Sequence, residues 1–174
     1  MRLSGPAVYL GIDPGLNGAL CVLYINPAGE LDGLRIEDIP TMEVPAPSRK
    51  SGAKRVINEA ALAHFIKSLG PIRAAFIEMV ASRPGQSSVA TFTFGYTTGA
   101  IRGILAAYGI PLHQLTPKSW KSFYKIPGGA PKSVSIGLAS RLFPAFASNW
   151  TRAKDDGRAE AALIGWCGYL TTQT

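Results

Sequence analysis

Residues 8–13 (VYLGID) form an apolar run that stops at a carboxylate, with Pro14 and Gly15 directly behind it. Six residues are too few for an ordinary helix, and the run reads as a buried strand closed by a turn. A second short run, residues 74–80 (AAFIEMV), has the same character and is interrupted only by Glu78. A buried charge is costly unless it is paired or binds a metal. Any fold for this chain must therefore bury two such strands and still find a use for the acid on each.

The segments around these runs constrain the topology. Residues 18–26 (GALCVLYIN) and 34–39 are further strand candidates, separated by the turn signal Pro27-Ala28-Gly29. With residues 8–13 they make a three-stranded meander. Residues 41–55 hold two prolines and the cations Arg49, Lys50, Lys54 and Arg55. They are too long for a routine connection, and residues 41–57 read as a flexible basic loop. Asn58 is a good N-cap for a helix reaching Leu69, ended by Gly70-Pro71. A helical connection makes the strand at 74–80 parallel to the first. Then follow a loop at 81–86, a helix within 87–108 rich in Gly, Ala and Thr, and a fifth strand at 110–115. A basic connection at 117–132 and helices at 132–142 and 156–170 complete the chain. No repeat or linker divides it. The expectation is one α/β domain over residues 1–174, with a mixed five-stranded sheet, three antiparallel strands then two parallel, flanked by helices.

Composition narrows the classes further. With 47% apolar and 17% charged residues, the 174-residue chain is globular rather than disordered. It has no apolar stretch of the ~20 residues that a membrane span needs. No secretory leader is legible at its start, so a soluble intracellular protein is expected. Cys21 and Cys167 lack metal-ligand spacing and sit in apolar surroundings, as buried free thiols do. His64 and His113 form no zinc pattern. The net charge of +7 suits a polyanionic partner.

Only 11 residues are acidic, and several sit in odd places. Besides Asp13 and Glu78 there is the segment 154–160 (KDDGRAE), ahead of the apolar AALIGWCGYL. Asp156 and Glu160 are four apart and share one helix face, where like charges repel unless a cation lies between them. Singly, each acid has an ordinary role: a turn cap for Asp13, a strand-end carboxylate for Glu78, a complement to the helix dipole for the third group. Together they suggest more. Parallel neighbouring strands bring Asp13 and Glu78 to one sheet end, and a helix packed there delivers the remaining acids. Such an all-oxygen site suits Mg²⁺ or Mn²⁺, and two ions can support phosphodiester hydrolysis.

GIDPG after a strand, the Glu in FIE, and the terminal KDDGRAEAALI, in that order over nearly the whole chain, resemble the RuvC family of Holliday junction resolvases. The resemblance implies an RNase H-like fold and a magnesium-dependent endonuclease, with Mn²⁺ as a substitute and two ions per site. It implies a homodimer acting on the opposed strands of a four-way DNA junction, in a bacterial or phage-infected cytoplasm. Asp13, Glu78, Asp156 and Glu160 would be the metal-binding acids, with Asp155 the substitute for Asp156. The family's last acid is most often an Asp three residues after its predecessor, whereas Glu160 follows Asp156 by four. Lys121 and Lys132, eleven apart, match the spacing of two functional lysines in similar resolvases, whose implied work is phosphate contact and transition-state stabilisation. Lys118 and Lys125 lie beside them. Arg83 and Gln86 are candidate DNA contacts in the loop after the second acid, where an aromatic wedge is usual and the nearest here is Phe92. Arg49, Lys50, Lys54 and Arg55 form a further basic cluster for a DNA backbone. Two other readings stand beside this one. A catalytically silent DNA-binding protein could keep the fold. DPGLNG after a strand also resembles the phosphate loop of the actin and sugar-kinase group, which generally needs two such domains.

Overall fold

The structure is a computed structural model that describes residues 5–45, 52–79, 81, 85 and 87–173. The meander at the start forms as the alternation and turns dictate. β1 (Ala7–Ile12), β2 (Ala19–Ile25) and β3 (Leu31–Asp38) pair antiparallel. Asn26 closes the β2–β3 turn, its side-chain oxygen accepting from the Ala28 and Glu30 amides.

Residues 41–57 correct the expectation of a loop. β4 (Thr41–Pro45) and β5 (Ala53–Ile57) pair antiparallel as a separate two-stranded sheet, while residues 46–51 lie outside the described residues. Pro45 sits at the end of β4, where its missing N–H costs least. The fully buried Ile57 anchors the hairpin at its base. Asn58 then caps α1 (Glu59–Ser68) by accepting from the Ala61 amide at 3.0 Å, as its position suggested.

β6 (Ile72–Glu78) runs parallel to β1 on the side away from β2. α2 (Ser88–Ala107), capped by Ser87, leads to β7 (Leu112–Leu115), which lies parallel to β6. The sheet order is β3-β2-β1-β6-β7, the mixed arrangement expected from the sequence. The basic connection contains a helix that went unanticipated, α3 (Pro117–Phe123). Thr116 caps it and Pro117 occupies its first turn. α4 (Lys132–Leu142), 3₁₀ turns at Pro144–Trp150 and Ala153–Asp155, and α5 (Asp156–Thr172) complete the fold.

Alternation along β1, β2 and β6 divides the core into two layers. Leu10, Ile12, Leu20, Ile77 and Ile101 pack on the α1–α2 side. Cys21, Leu23, Phe76, Ala161 and Ile164 pack on the α5 side with Trp120 and Trp150. Both cysteines are free and buried.

α5 approaches the sheet unusually closely because glycines meet there. A Cβ on Gly11 would lie 2.2 Å from the Ala161 carbonyl oxygen and 2.5 Å from Gly165 Cα. A Cβ on Gly168 would lie 2.2 Å from the Phe76 ring. Neither position tolerates a side chain without separating helix from sheet. Gly11→Ala is expected to lower stability by about 1–3 kcal/mol, the usual cost of overpacking, read as a lower urea midpoint at unchanged slope.

Candidate functional site

β1 and β6 are neighbours in register, with Ile12 opposite Ile77, so Asp13 and Glu78 emerge at the same end of the sheet. The turn after β1 is tight. The Asp13 amide donates to the Ala19 carbonyl at 3.0 Å and the Gly18 amide to the Gly15 carbonyl at 2.9 Å. A Cβ on Gly18 would lie 2.1 Å from the Asp13 carbonyl oxygen, so this position must be glycine. The glycine contacts of α5 bring its first turns to the same place. A Cβ on Gly157 would lie 2.9 Å from Asp13 Oδ2.

Four acids from three distant stretches therefore act on one another. Asp13 keeps some solvent contact. Enclosure by protein, and then the charges of Glu160, Glu78 and Asp156, push its carboxyl up to about 8. Burial likewise raises the Glu160 carboxyl. The neighbours of each acid are specific. Glu78 Oε1 accepts from the indole N–H of Trp120 at 2.9 Å, and Trp120 is fully buried. Glu160 Oε1 accepts from Ser135 Oγ at 3.0 Å and lies 3.8 Å from Lys121 Nζ. The Lys121 ammonium also sits 5.0 Å from the centre of the Trp120 ring. Lys132 Nζ is 2.7 Å from Asp156 Oδ2, a contact that raises the lysine's proton affinity.

Among the described residues, no three His, Cys, Asp or Glu side chains are gathered tightly enough to hold one ion as they stand. Glu78, Asp156 and Glu160 each engage a separate partner instead, Trp120, Lys132 and Ser135. The donor set nevertheless fits a hard divalent cation, because every donor is a carboxylate oxygen and Asp13 is short of positive charge.

The structure separates the two adjacent aspartates. Asp155 is buried and faces Arg152, whose guanidinium donates to both its oxygens at 2.8–3.2 Å and whose amide donates at 3.0 Å. Arg152 holds the Asp155 carboxyl down to about 2. Asp156, one residue on, is the acid whose charge Asp13 feels.

Of the candidate DNA contacts, Lys121 and Lys132 lie on the acids, and Lys118 joins Lys121 along a cleft beside α3. Lys125 is exposed after α3 with a positive φ of 56°. Lys54 and Arg55 lie on β5, and Arg55 Nη2 donates to Asn17 Oδ1 in the turn after β1. Phe92 is 69% exposed on α2 and stacks on Tyr96. Arg49, Lys50, Arg83 and Gln86 lie outside the described residues. Trp120, Ser135 and Asn17 escaped the sequence reading. A tryptophan inside a basic segment was the one available signal.

No protein-family profile matches the chain. Over 66% of its length it is 30% identical to the chloroplastic Holliday junction resolvase MOC1 of Chlamydomonas reinhardtii, and the match spans 13% of that protein. It superposes on Thermus thermophilus RuvC with a TM-score of 0.60 at 17% identity, over 95% of this chain and 96% of that one. T. thermophilus RuvC in complex with Holliday junction substrate gives a TM-score of 0.63 at 15% identity over the same shares. The chain has the RuvC fold. That bears out the mixed five-stranded sheet flanked by helices expected from the sequence, and the RuvC fold is the frame in which the four acids act on one another.

Two outcomes test this geometry. Trp120→Phe keeps most of the packing but removes the N–H that holds Glu78; the affinity of the acids for Mn²⁺, read by titration, is expected to fall by about 10–100-fold with folding preserved. Asp13 should also set a pH dependence in EDTA. Its carboxyl keeps a proton up to about pH 8 when folded and loses it near pH 4 when unfolded, so this acid lowers stability progressively between those values. Asp13→Asn is expected to flatten that decline in urea unfolding at pH 5 and 8. An unchanged slope would remove Asp13 as its source.

Proposed function

We propose that the chain is a divalent-metal-dependent endonuclease that nicks four-way DNA junctions. The observation that carries this reading is the crowding of Asp13 by Glu78, Asp156 and Glu160 at one end of a RuvC-fold sheet. The likeness to a named junction resolvase supports the same substrate class.

In this reading Asp13, Glu78, Asp156 and Glu160 hold Mg²⁺ or Mn²⁺, which supplies an activated water and a stabilised leaving oxygen for phosphodiester hydrolysis. The remaining work belongs to the chain's own side chains. Trp120 fixes one oxygen of Glu78 and Ser135 one oxygen of Glu160. Lys121 and Lys132 carry positive charge along the acid cluster, suited to phosphate oxygens and to charge that builds as the bond breaks. Asp155 serves as the structural partner of Arg152.

A junction presents two opposed strands, and two copies of the chain would supply two sites. The exposed face of α2 supports such pairing. Val89 and Phe92 are 68% and 69% exposed, and Gly95, Gly99 and Gly103, spaced four apart, each leave open space where a Cβ would stand. Among the described residues no packing within one copy requires these glycines to be small, whereas a second helix lying close would. Gly99→Leu is expected to shift the mass in light scattering from dimer to monomer; an unchanged mass would place the interface elsewhere. Among the described residues no helix is long and apolar enough to cross a membrane. We place the activity with intracellular DNA, in a bacterial or phage-infected cytoplasm.

The direct assay compares a synthetic four-way junction, a matched duplex and a single strand in Mg²⁺, Mn²⁺, Ca²⁺ or EDTA. Symmetric junction nicking in Mg²⁺ or Mn²⁺ is expected, and Asp13→Asn should abolish it while junction binding stays nearly intact. Binding without cleavage in every metal would favour the silent DNA-binding alternative.

A further inference from the structure

Beside the acids lies a cleft of about 430 Å³ between the β4–β5 hairpin and the turn that leads into α5. Five cations line it: Arg55, Lys132, Arg152, Lys154 and Arg158. Three of them are already matched by acids of the same cleft. Arg152 is held by Asp155, Lys132 by Asp156, and Arg158 by Asp38, whose two oxygens accept from its guanidinium at 2.6 and 2.5 Å.

Arg55 and Lys154 are different. Both are exposed, and among the described residues neither forms an ion pair. They line the cleft from different elements, Arg55 on β5 and Lys154 in the 3₁₀ turn Ala153–Asp155. The cleft thus carries two cations in excess. Asp156 and Lys132 line it as well as belonging to the acid cluster, so whatever lies in the cleft is continuous with what lies on the acids.

We propose that this cleft is a backbone site for the cut DNA strand, in which Arg55 and Lys154 each contact a phosphate flanking the scissile one. The proposal rests on the nuclease reading and adds the path that the strand takes. The Arg55–Asn17 hydrogen bond gives the path a built wall, since it ties the separate hairpin to the turn that carries Asp13. A phosphodiester suits the cleft because the free charge comes from one guanidinium and one ammonium, and charged and polar side chains outnumber the apolar Leu16 and Ile39 in its lining.

The test measures binding of a four-way junction by fluorescence anisotropy in EDTA, between about 50 and 200 mM salt, where phosphate contacts dominate the salt dependence. Lys154→Ala and Arg55→Ala are each expected to lower the slope of log K against log salt by roughly one, and the double variant by roughly two. Lys67→Ala, at the far end of α1, serves as the control and keeps the wild-type slope. A scan of single methylphosphonates along the strand then locates the contact. Neutralising one phosphate near the cleavage point should weaken wild-type binding but cost Lys154→Ala nothing further. If Arg55→Ala loosens the hairpin, as thermal melting would reveal, Lys154→Ala decides alone, because its ammonium has no ion pair to lose. Wild-type slopes in both variants, with the wild type binding well, overturn the cleft and leave the nuclease reading standing. A wild-type chain that does not bind junctions at the lowest salt overturns both.

Discussion

The close contact of α5 with β1 is the constraint on which the rest of the molecule depends. Gly11 on the strand and Gly165 on the helix leave no room for a Cβ between them, and Gly168 sits against the Phe76 ring. Glycine inside a helix costs about 1 kcal/mol relative to alanine, so three in α5 (Gly157, Gly165 and Gly168) are an expensive choice unless proximity is needed. What proximity achieves is visible at the first turn of the helix, where Gly157 lets Asp156 and Glu160 come within electrostatic reach of Asp13. A helix set further from the sheet would relieve the repulsion among these acids and also disperse the site.

Holding like charges together requires compensation, and the chain supplies it locally. Lys132 and Lys121 stand on two of the acids, while Trp120 and Ser135 donate hydrogen bonds to Glu78 and Glu160. Trp120 connects three parts of the site at once, since it is buried in the α5-side core, bonded to Glu78, and lies under the Lys121 ammonium. The ion pairs on the rim have another use. Arg158–Asp38 is a largely exposed pair, which contributes little stability, but it fixes where α5 begins relative to the end of β3. Arg152 compensates the buried Asp155 in the turn just before α5.

Much of this was legible in the residues because carboxylates stood where apolar side chains were expected. Asp13 and Glu78 announce themselves by closing apolar strands, and parallel pairing of those strands follows from the helix between them. The hairpin of β4 and β5 was not legible, since its strands are five residues each, with a single fully buried side chain between them, and interrupted in sequence by prolines and cations. α3 was missed for a similar reason: seven residues show no helical periodicity, and only Thr116-Pro117 marks its start. The choice between Asp155 and Asp156 is beyond any pattern argument, because adjacent helical residues point about 100° apart and only the packing of α5 decides which faces Asp13. The Trp120–Glu78 bond links positions 42 residues apart, and nothing in either local sequence names the other.

The central claim is that these acids share divalent cations when the protein works. Anomalous diffraction from crystals soaked in Mn²⁺ tests it directly. The account predicts manganese peaks bounded by Asp13, Glu78, Asp156 and Glu160, about 2.0–2.3 Å from their oxygens, with Asp155 still on Arg152. Peaks elsewhere, or none at these acids with the soak otherwise occupied, would contradict it.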